Sequence, residues 1–567
     1  MSRPLFRGGT VASAKRLLRG LLGRKPTPAT PVPAPEPQLV PQPDLLPDEE
    51  EPRDQVTSIR AREILGSVAV TPGAESVRVS LWINDLEVDH VAVPPSADGT
   101  GTFRFAVKDM WWYCGPGDRL TVRVGDSCLP MPTGGEHFEP STPAHEPLTV
   151  LAERLRAGEI INSQGVLALP KYLDEEWQST ATELYQRVRI AVRELTGHDP
   201  FLVYGSLLGA VREGRPLGHD CDFDAGYLSS HTDPELVTGE AGELAVRLQE
   251  RGFSVEARVT CIHIHDERLA QRIDLYHLYF DDRDELRLAF GAASAIPFRK
   301  DQWQGIEEIT FGGAKVAVPR NAEDLVATFY GPHWRIPNPG FDWETERVTR
   351  AEEAYFPARL RPVINWQDHW LRTASETPTA FALFVRGLDL GTELTVDLGC
   401  GEGRDVPVVV RDGVRVLGLD RSPAAVASAR RRRLLPEYAR FAEWDAEIAS
   451  SVRAALEHEG ERRPRTLFYA RQFLDAIPDE ALALLLADLE VLARPGDAVA
   501  FEFRCVGDDT LTAHEEWNRG QHVVDPEPIR NWMAQAGFES VVDEASTAWE
   551  SRGRAGVLLH RLVGAKP

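Results

Sequence analysis

Three early segments alternate apolar and polar residues. Val77-Arg78-Val79-Ser80-Leu81-Trp82-Ile83, Gly101-Thr102-Phe103-Arg104-Phe105-Ala106-Val107 and Leu120-Thr121-Val122-Arg123-Val124 share a period of two, which puts alternate side chains on one face of an extended strand. Asn84-Asp85 and Gly115-Pro116-Gly117-Asp118 supply turn chemistry around them. Short strands punctuated by turns predict a small β-sandwich over residues 58–130. The period then lengthens. Trp177, Leu184, Val188, Ala191 and Leu195 recur at helical spacing, and Gly197 is placed to end that helix. Leu236 to Gly252 reads as another helix, Arg272 to Leu278 as a strand, and Pro319 to Gly331 as a helix that buries Leu325, Val326 and Phe329. Residues 131–345 are thus expected to form an α+β domain. Beyond a connector at 346–385, residues 386–567 begin with a strand, a glycine-rich turn and a helix-compatible run.

Candidate chemistry is concentrated in the middle of the chain. Phe201 to Tyr204 reads as a short strand and Gly205-Ser206 as a tight turn whose backbone N–H groups can face a phosphate. Leu207 to Val211 follows as one or two buried helical turns, with Arg212 a candidate cation for a diphosphate or a surface residue. Asp220, Asp222 and Asp224 then alternate. On an extended strand they share a face, and three like charges there call for a cation. Hard carboxylate oxygens suit Mg²⁺ or Mn²⁺. The alternative, a solvated acidic edge strand, fits poorly with the apolar segments on either side.

This stretch resembles the LicD/fukutin family of the nucleotidyltransferase superfamily. The resemblance rests on Gly205 to Arg212, on Asp220 to Asp224, on Ile273-Asp274-Leu275, and on Val318-Pro319 with Tyr330-Gly331, in that order. It implies a nucleotidyltransferase-like fold for residues 131–345. It also implies catalytic roles for Asp222, Asp224 and Asp274, metal ligation by Asp220, Asp222 and Asp224, and phosphate binding by Gly205, Ser206 and Arg212. Asp274 would serve as metal ligand or as general base. The donor implied is a nucleotide diphosphate of the CDP type carrying a polyol or choline, and the acceptor is a hydroxyl of a surface glycan. His219 stands where the family usually has Trp, a departure expected to alter packing more than chemistry.

A second motif follows the connector. Leu394-Thr395-Val396-Asp397-Leu398-Gly399-Cys400-Gly401-Glu402-Gly403 is a strand, then glycines at alternate positions, then a helix-compatible run. Such a turn lets backbone approach a ligand at a strand's C-terminal end. Val414 to Leu419 reads as the next strand, ending in Asp420, an acid able to bind ribose hydroxyls. The stretch resembles class I S-adenosylmethionine-dependent methyltransferases, with a Rossmann-like fold. The resemblance implies cofactor binding by Asp397, Gly399, Gly401, Gly403 and Asp420. It places Asp445, in Ala442-Glu443-Trp444-Asp445-Ala446, toward the adenine. It places Arg471, in the run from Thr466 to Ile477, near the methyl donor.

Composition narrows the setting. At 567 residues and 43% hydrophobic, the chain has material for several cores. A net charge of −24 disfavours nucleic acid. The six cysteines are scattered without a Cys-x-x-Cys pair, consistent with reduced thiols in a cytoplasmic enzyme. No apolar run is long enough for a membrane span. Residues 1–57 comprise a basic stretch to residue 25 and then a Pro-rich, acidic linker. The basic stretch reads either as an amphipathic helix touching the inner face of a membrane or as a disordered tail. Trp111-Trp112-Tyr113 reads as a sugar-stacking platform or as core. Together these features lead to the expectation of a multidomain α/β and α+β glycan-modifying enzyme that transfers a phospho-alcohol and a methyl group. The alternatives are transfer of a nucleoside monophosphate, and a glycan-binding scaffold with weak catalysis.

Overall fold

The computed structural model describes residues 54–567, apart from 72, 96–98, 339–340, 342, 344–348, 374, 376, 411–412, 433–437, 460–462, 550–553 and 555, and the side chains of 458, 513 and 517. The basic stretch and nearly all of the Pro-rich linker lie outside the described residues. The chain forms two compact units. In described residues, the first comprises 54–237 and 264–354, and the second 238–263 and 355–567. Mixed α and β elements build several sheets.

The first unit opens with two antiparallel sheets. Strands β1 (Gln55–Ile59), β2 (Glu63–Ala69) and β5 (Thr100–Ala106) make one. Strands β3 (Val77–Ile83), β4 (Leu86–Val93), β6 (Leu120–Val124) and β7 (Ser127–Cys128) make the other, in order β4-β3-β6-β7. Their inward residues share one core: Ile64, Val68, Phe103 and Phe105 from the first sheet meet Val79, Leu81, Ile83 and Val122 from the second. Leu151, Ile161 and Leu167 join the same core, so the sandwich continues past the turn at residue 130. Helix α1 (Glu175–Thr196) follows. Asp174 caps it by accepting from the Trp177 N–H, and Gly197 ends it at φ 83°, a left-handed geometry that costs glycine little.

Strand β8 (Phe201–Leu202) pairs antiparallel with β9 (Asp224–Leu228), which pairs in parallel with β10 (Gln271–Phe280). Between β8 and β9 the chain makes helix α2 (Tyr204–Leu208), continued as a π turn over Gly209–Glu213. Gly205-Ser206 therefore lies in the first turn of a helix, not in a separate tight turn. Tyr204 enters that helix at φ 42°, held by ring contacts with Tyr276, Phe290, Phe329 and Trp343. Helix α3 (Ala322–Tyr330) buries Leu325, Val326 and Phe329 as its spacing requires.

The second unit contains a seven-stranded sheet. In chain order its strands are β11 (Leu394–Leu398), β12 (Arg415–Asp420), β13 (Ala439–Glu443), β14 (Thr466–Arg471), β15 (Ala498–Arg504), β16 (Glu539–Ser546) and β17 (Leu559–Ala565). Their spatial order is β13-β12-β11-β14-β15-β17-β16, parallel except for β17, which runs antiparallel to both neighbours. The order reverses at β11, so the crevice of this doubly wound sheet opens beyond the C-terminal ends of β11 and β14. The stretch that reads as a connector holds helix α4 (Leu360–Arg372). Asn365 of α4 accepts from the Ala257 N–H at 2.7 Å and donates to the Ala257 and Asn518 carbonyls at 3.0 and 2.7 Å. Asp368 accepts from the Val255 N–H at 2.9 Å. The strand Ser254–Ala257 is thereby fastened to α4 within this unit. Among the described residues, no helix is long and apolar enough to cross a membrane, and all six cysteines are free.

Candidate active sites

The first site gathers at one end of β9 and β10. Asp224 is the first residue of β9, and Asp274 is its register partner on β10; both are buried. Of the three alternating aspartates, only Asp224 lies on the strand. Asp220 follows a turn and Asp222 is in irregular chain. The backbone N–H of Gly205 donates to Asp224 Oδ2 at 3.1 Å, and the Ser206 hydroxyl accepts from the Asp224 N–H at 2.9 Å. A Cβ on Gly205 would lie 2.3 Å from Asp220 Oδ2, so this glycine is what lets the carboxylates approach the helix. Gly205 and Ser206, expected at a phosphate, are thus fixed to the aspartates themselves.

Charge is concentrated here with little to offset it. Burial and the neighbouring carboxylates of Asp220, Asp274 and Asp222 push Asp224 well above the ordinary carboxylate range. Burial and Asp222 push Asp220 up to about 7. One cation that reaches the cluster is Arg272, two residues before Asp274. It pairs with Asp222 and lies 2.7 Å from an Asp274 oxygen. The strand pattern includes Arg272 but assigns it no role. The available signal is its period-two spacing from Asp274, which puts both on one face. Hard-oxygen donors whose charge is poorly compensated fit Mg²⁺ or Mn²⁺, with buried Asp224 and half-buried Asp220 and Asp222 as the ligands and Asp274 beside them.

Asp220, Asp222 and Asp224 line a cavity of about 470 Å³, whereas Ser206, Arg272 and Asp274 are not among its lining residues. Tyr330 and Gly331 reach it from the end of α3, as do Arg212 and His219 from the other side. Arg212 donates to the Trp334 carbonyl at 3.2 Å and to Glu213 at 2.9 Å. Burial and Arg212 lower His219 to about 4, so its imidazole is neutral. Trp334, Phe341 and Trp343 form an aromatic wall. Thr100, Gly101 and Thr102 of the sandwich complete the lining. That last contribution is invisible in the sequence, because strand periodicity says nothing about which loop meets which cavity.

The second site lies at the switch point of the seven-stranded sheet. Asp397, Gly399, Asp420 and Arg471 line a cavity of about 340 Å³. Gly401, Gly403 and Asp445 are not among its lining residues. Gly403 serves packing: a Cβ there would press Phe441 and Ala429. Asp445 caps the Glu447 N–H at 3.0 Å and lies 3.6 Å from Arg421. Gly401, at φ 53°, donates its N–H to Asp420 Oδ2 at 2.8 Å, and Ser422 donates to Oδ1 at 2.8 Å. The loop between β11 and the next helix is therefore tied to the end of β12. Burial raises Asp420 to about 6 against those two N–H donors. Burial, Asp405 and Asp420 raise Asp397 well above its ordinary range. Three acids in so small a space favour a cationic guest, and S-adenosylmethionine, with its sulfonium and ammonium groups, fits that requirement.

Helix α4 supplies a wall that the motifs do not reveal. Trp366, His369 and Trp370 line the cavity. Gln367 fixes the helix by accepting from the Ser422 hydroxyl at 2.7 Å and the Ala424 N–H at 3.1 Å. Trp370 packs onto the glycine loop, so a Cβ on Gly401 would sit 2.5 Å from its ring. The available signal is the helical spacing of Leu360, Val363, Ile364 and Gln367, all buried.

These two architectures give the chain two candidate sites, one rich in carboxylates and one at a doubly wound switch point. Residues 197–321 match the family model described as LicD/FKTN/FKRP, nucleotidyltransferase domain. The chain carries a LicD domain. No curated protein matches it. Among solved structures it is similar to a SAM-dependent methyltransferase from Anabaena variabilis, at 17% identity over 36% of this chain and 93% of that one, with a TM-score of 0.29. It is similar to human N-acetylserotonin methyltransferase, at 16% identity over 37% of this chain and 56% of that one, with a TM-score of 0.25. It is also similar to a magnesium protoporphyrin IX methyltransferase from Synechocystis, at 17% identity over 37% of this chain and 87% of that one, with a TM-score of 0.24.

Proposed function

We propose that the chain is a bifunctional glycan-modifying transferase. The LicD domain moves a phospho-alcohol or polyol phosphate from a CDP-type donor to a glycan hydroxyl, and the second site methylates the product or a group near it. The observation that carries the first half is the register pairing of Asp224, which lines the cavity, with Asp274 in the family-matched region. Asp220, Asp222 and Asp224 would hold a divalent cation, which supplies charge neutralisation on the donor's diphosphate. Gly205 and Ser206 hold Asp224 in place. Asp274 takes the proton of the attacking hydroxyl, and Arg272 orients it. Arg212 lies at the cavity for the leaving nucleotide's phosphate.

In the second site, S-adenosylmethionine supplies a methyl group on a cationic sulfur. The Gly399 turn gives backbone room beside it. Asp397 and Asp420 provide negative charge, and Trp366 and Trp370 exclude water. Methyl transfer depends on alignment more than on acid–base help. The support here is the sheet order with its single antiparallel strand, together with the Gly401 N–H to Asp420 bond.

The family description, a nucleotidyltransferase domain, favours a second reading in which a nucleoside monophosphate is added instead. Mass spectrometry of a glycan acceptor after incubation with a CDP-linked donor and Mg²⁺ separates the two. A mass gain equal to polyol phosphate or phosphocholine supports the proposal. A gain equal to cytidine monophosphate supports the second reading, and no gain with any donor defeats both.

A further inference from the structure

Neither site uses the aromatic run Trp111-Trp112-Tyr113. It lies at the edge of the sandwich, on the 3₁₀ turn Met110–Trp112. That turn, the segment from Phe138 to His145 and residues 59–61 line a separate, open cavity of about 830 Å³, within the size range of small-ligand sites. The three aromatic residues differ in kind. Tyr113 is core, being buried and bonded to Arg154 at 2.8 Å. Trp112 is 49% exposed, unusual for so large an apolar ring. Its exposure is organised. One ring face stacks on His145, with centroids 4.0 Å apart and planes at 17°. The Trp112 carbonyl accepts from the His145 and Glu146 N–H groups at 2.8 and 3.1 Å. The indole is therefore braced from behind, and its accessible surface is the remaining face and edge.

A second observation points to an oxygen-rich guest. Trp111 also lines this cavity, and its indole N–H is buried without a hydrogen-bond partner. A buried donor left unmade is costly, and an added acceptor oxygen offsets that cost. The lining also includes the exposed Ser141, Thr142 and Lys108. A flat apolar ring beside hydroxyl and ammonium groups matches a molecule with one C–H face and a girdle of hydroxyls.

We infer that the sandwich carries a carbohydrate-binding site in which a pyranose ring stacks on the free face of Trp112. Its hydroxyls face Ser141, Thr142 and Lys108. This site is separate from both transferase sites and does not depend on the chemistry proposed for either.

The test uses the full chain and saturation-transfer NMR with methyl glucoside, methyl galactoside, methyl mannoside, N-acetylglucosamine and glucuronate. Each is supplied at about 10 mM, above the roughly millimolar constants expected of single sugars. At least one sugar should show transfer to its ring C–H protons. Trp112→Ala should weaken that sugar about tenfold, the scale of one lost aromatic contact. Thr142→Trp, at an exposed position, should block the cavity without touching the core, and it serves if the alanine variant does not fold. Absence of transfer to all five sugars overturns the inference. So does transfer unchanged in both variants, and so does binding of the apolar dye anilinonaphthalene sulfonate at Trp112 with no sugar competing for it.

Discussion

Asp224 and Asp274 are direct register partners on adjacent parallel strands, both buried and both facing the same cluster of acids. Two carboxylates so placed repel each other unless a proton, a cation or a guanidinium intervenes. Arg272 serves Asp274 and Asp222. Asp224 has neutral donors, the Gly205 N–H among them.

Asp224→Asn should therefore separate stability from activity. The amide removes a strained charge while keeping an acceptor for Gly205, so the unfolding midpoint in chelator should hold or rise. Phosphotransfer should fall by roughly a hundredfold or more, the scale of losing a preorganised electrostatic group. Calorimetric unfolding and the mass-spectrometric transfer assay check the two halves. A variant that unfolds early yet still transfers would contradict both.

The second site should show a pH signature. Asp420 is raised from 3.8 to about 6 by burial, so the folded state holds its proton more tightly than the unfolded state does. Its contribution to stability is complete below about pH 4 and is lost as pH rises through about 6. The swing is on the order of 3 kcal/mol at most, since a tenfold change in proton affinity is worth about 1.4 kcal/mol. Asp420→Asn should flatten this part of the stability profile. Denaturant titrations of both proteins from pH 4 to 7 measure it, and parallel profiles would show that Asp420 does not titrate in that window.

Gly401 and Trp370 should be energetically coupled. Gly401→Ala adds a Cβ 2.5 Å from the Trp370 ring at a residue whose φ is 53°. S-adenosylmethionine binding should weaken at least tenfold. Trp370→Ala in the same chain should restore part of the loss attributable to the clash, leaving the left-handed backbone cost of roughly 1–2 kcal/mol. A double-mutant cycle by isothermal titration reads this directly. Strict additivity would mean that the ring moves aside freely.

Asn365→Ala should destabilise the second unit by about 2–4 kcal/mol. The side chain serves both polar groups of Ala257 and the carbonyl of Asn518, and each buried group left without a partner costs about 1–3 kcal/mol. Chemical denaturation of the full chain, followed by a probe in each unit, should show the shift in one transition.

Much of this is legible in the sequence because the chemistry is local. The glycine turn after Leu398, the acid ending β12 and the carboxylates around Asp224 all lie within short stretches, so their proximity is read from spacing alone. Asp274 stands out through its isolation in an apolar strand. The rest depends on distant approach. Nothing in Thr100 to Thr102 announces a cavity more than a hundred residues further along the chain. Trp366 and Trp370 lie in a Pro-containing stretch that reads as a connector, although helical spacing runs through it. Asp220 and Asp222 leave the expected strand because the turn at Gly218-His219 delivers them from the side.

The fastening of the strand Ser254–Ala257 to α4 bears on how the chain is made. Residues 238–263 leave the ribosome before the last part of the first unit, while their partner helix follows roughly a hundred residues later. At about 5–20 residues per second, that is an interval of roughly 5–20 s. During it, the backbone of Val255 and Ala257 lacks the side chains of Asp368 and Asn365 that later satisfy it. The nascent chain thus passes through a stage in which those backbone groups are unmatched, a stage that slower synthesis lengthens. No single cut can divide the finished protein into its two units.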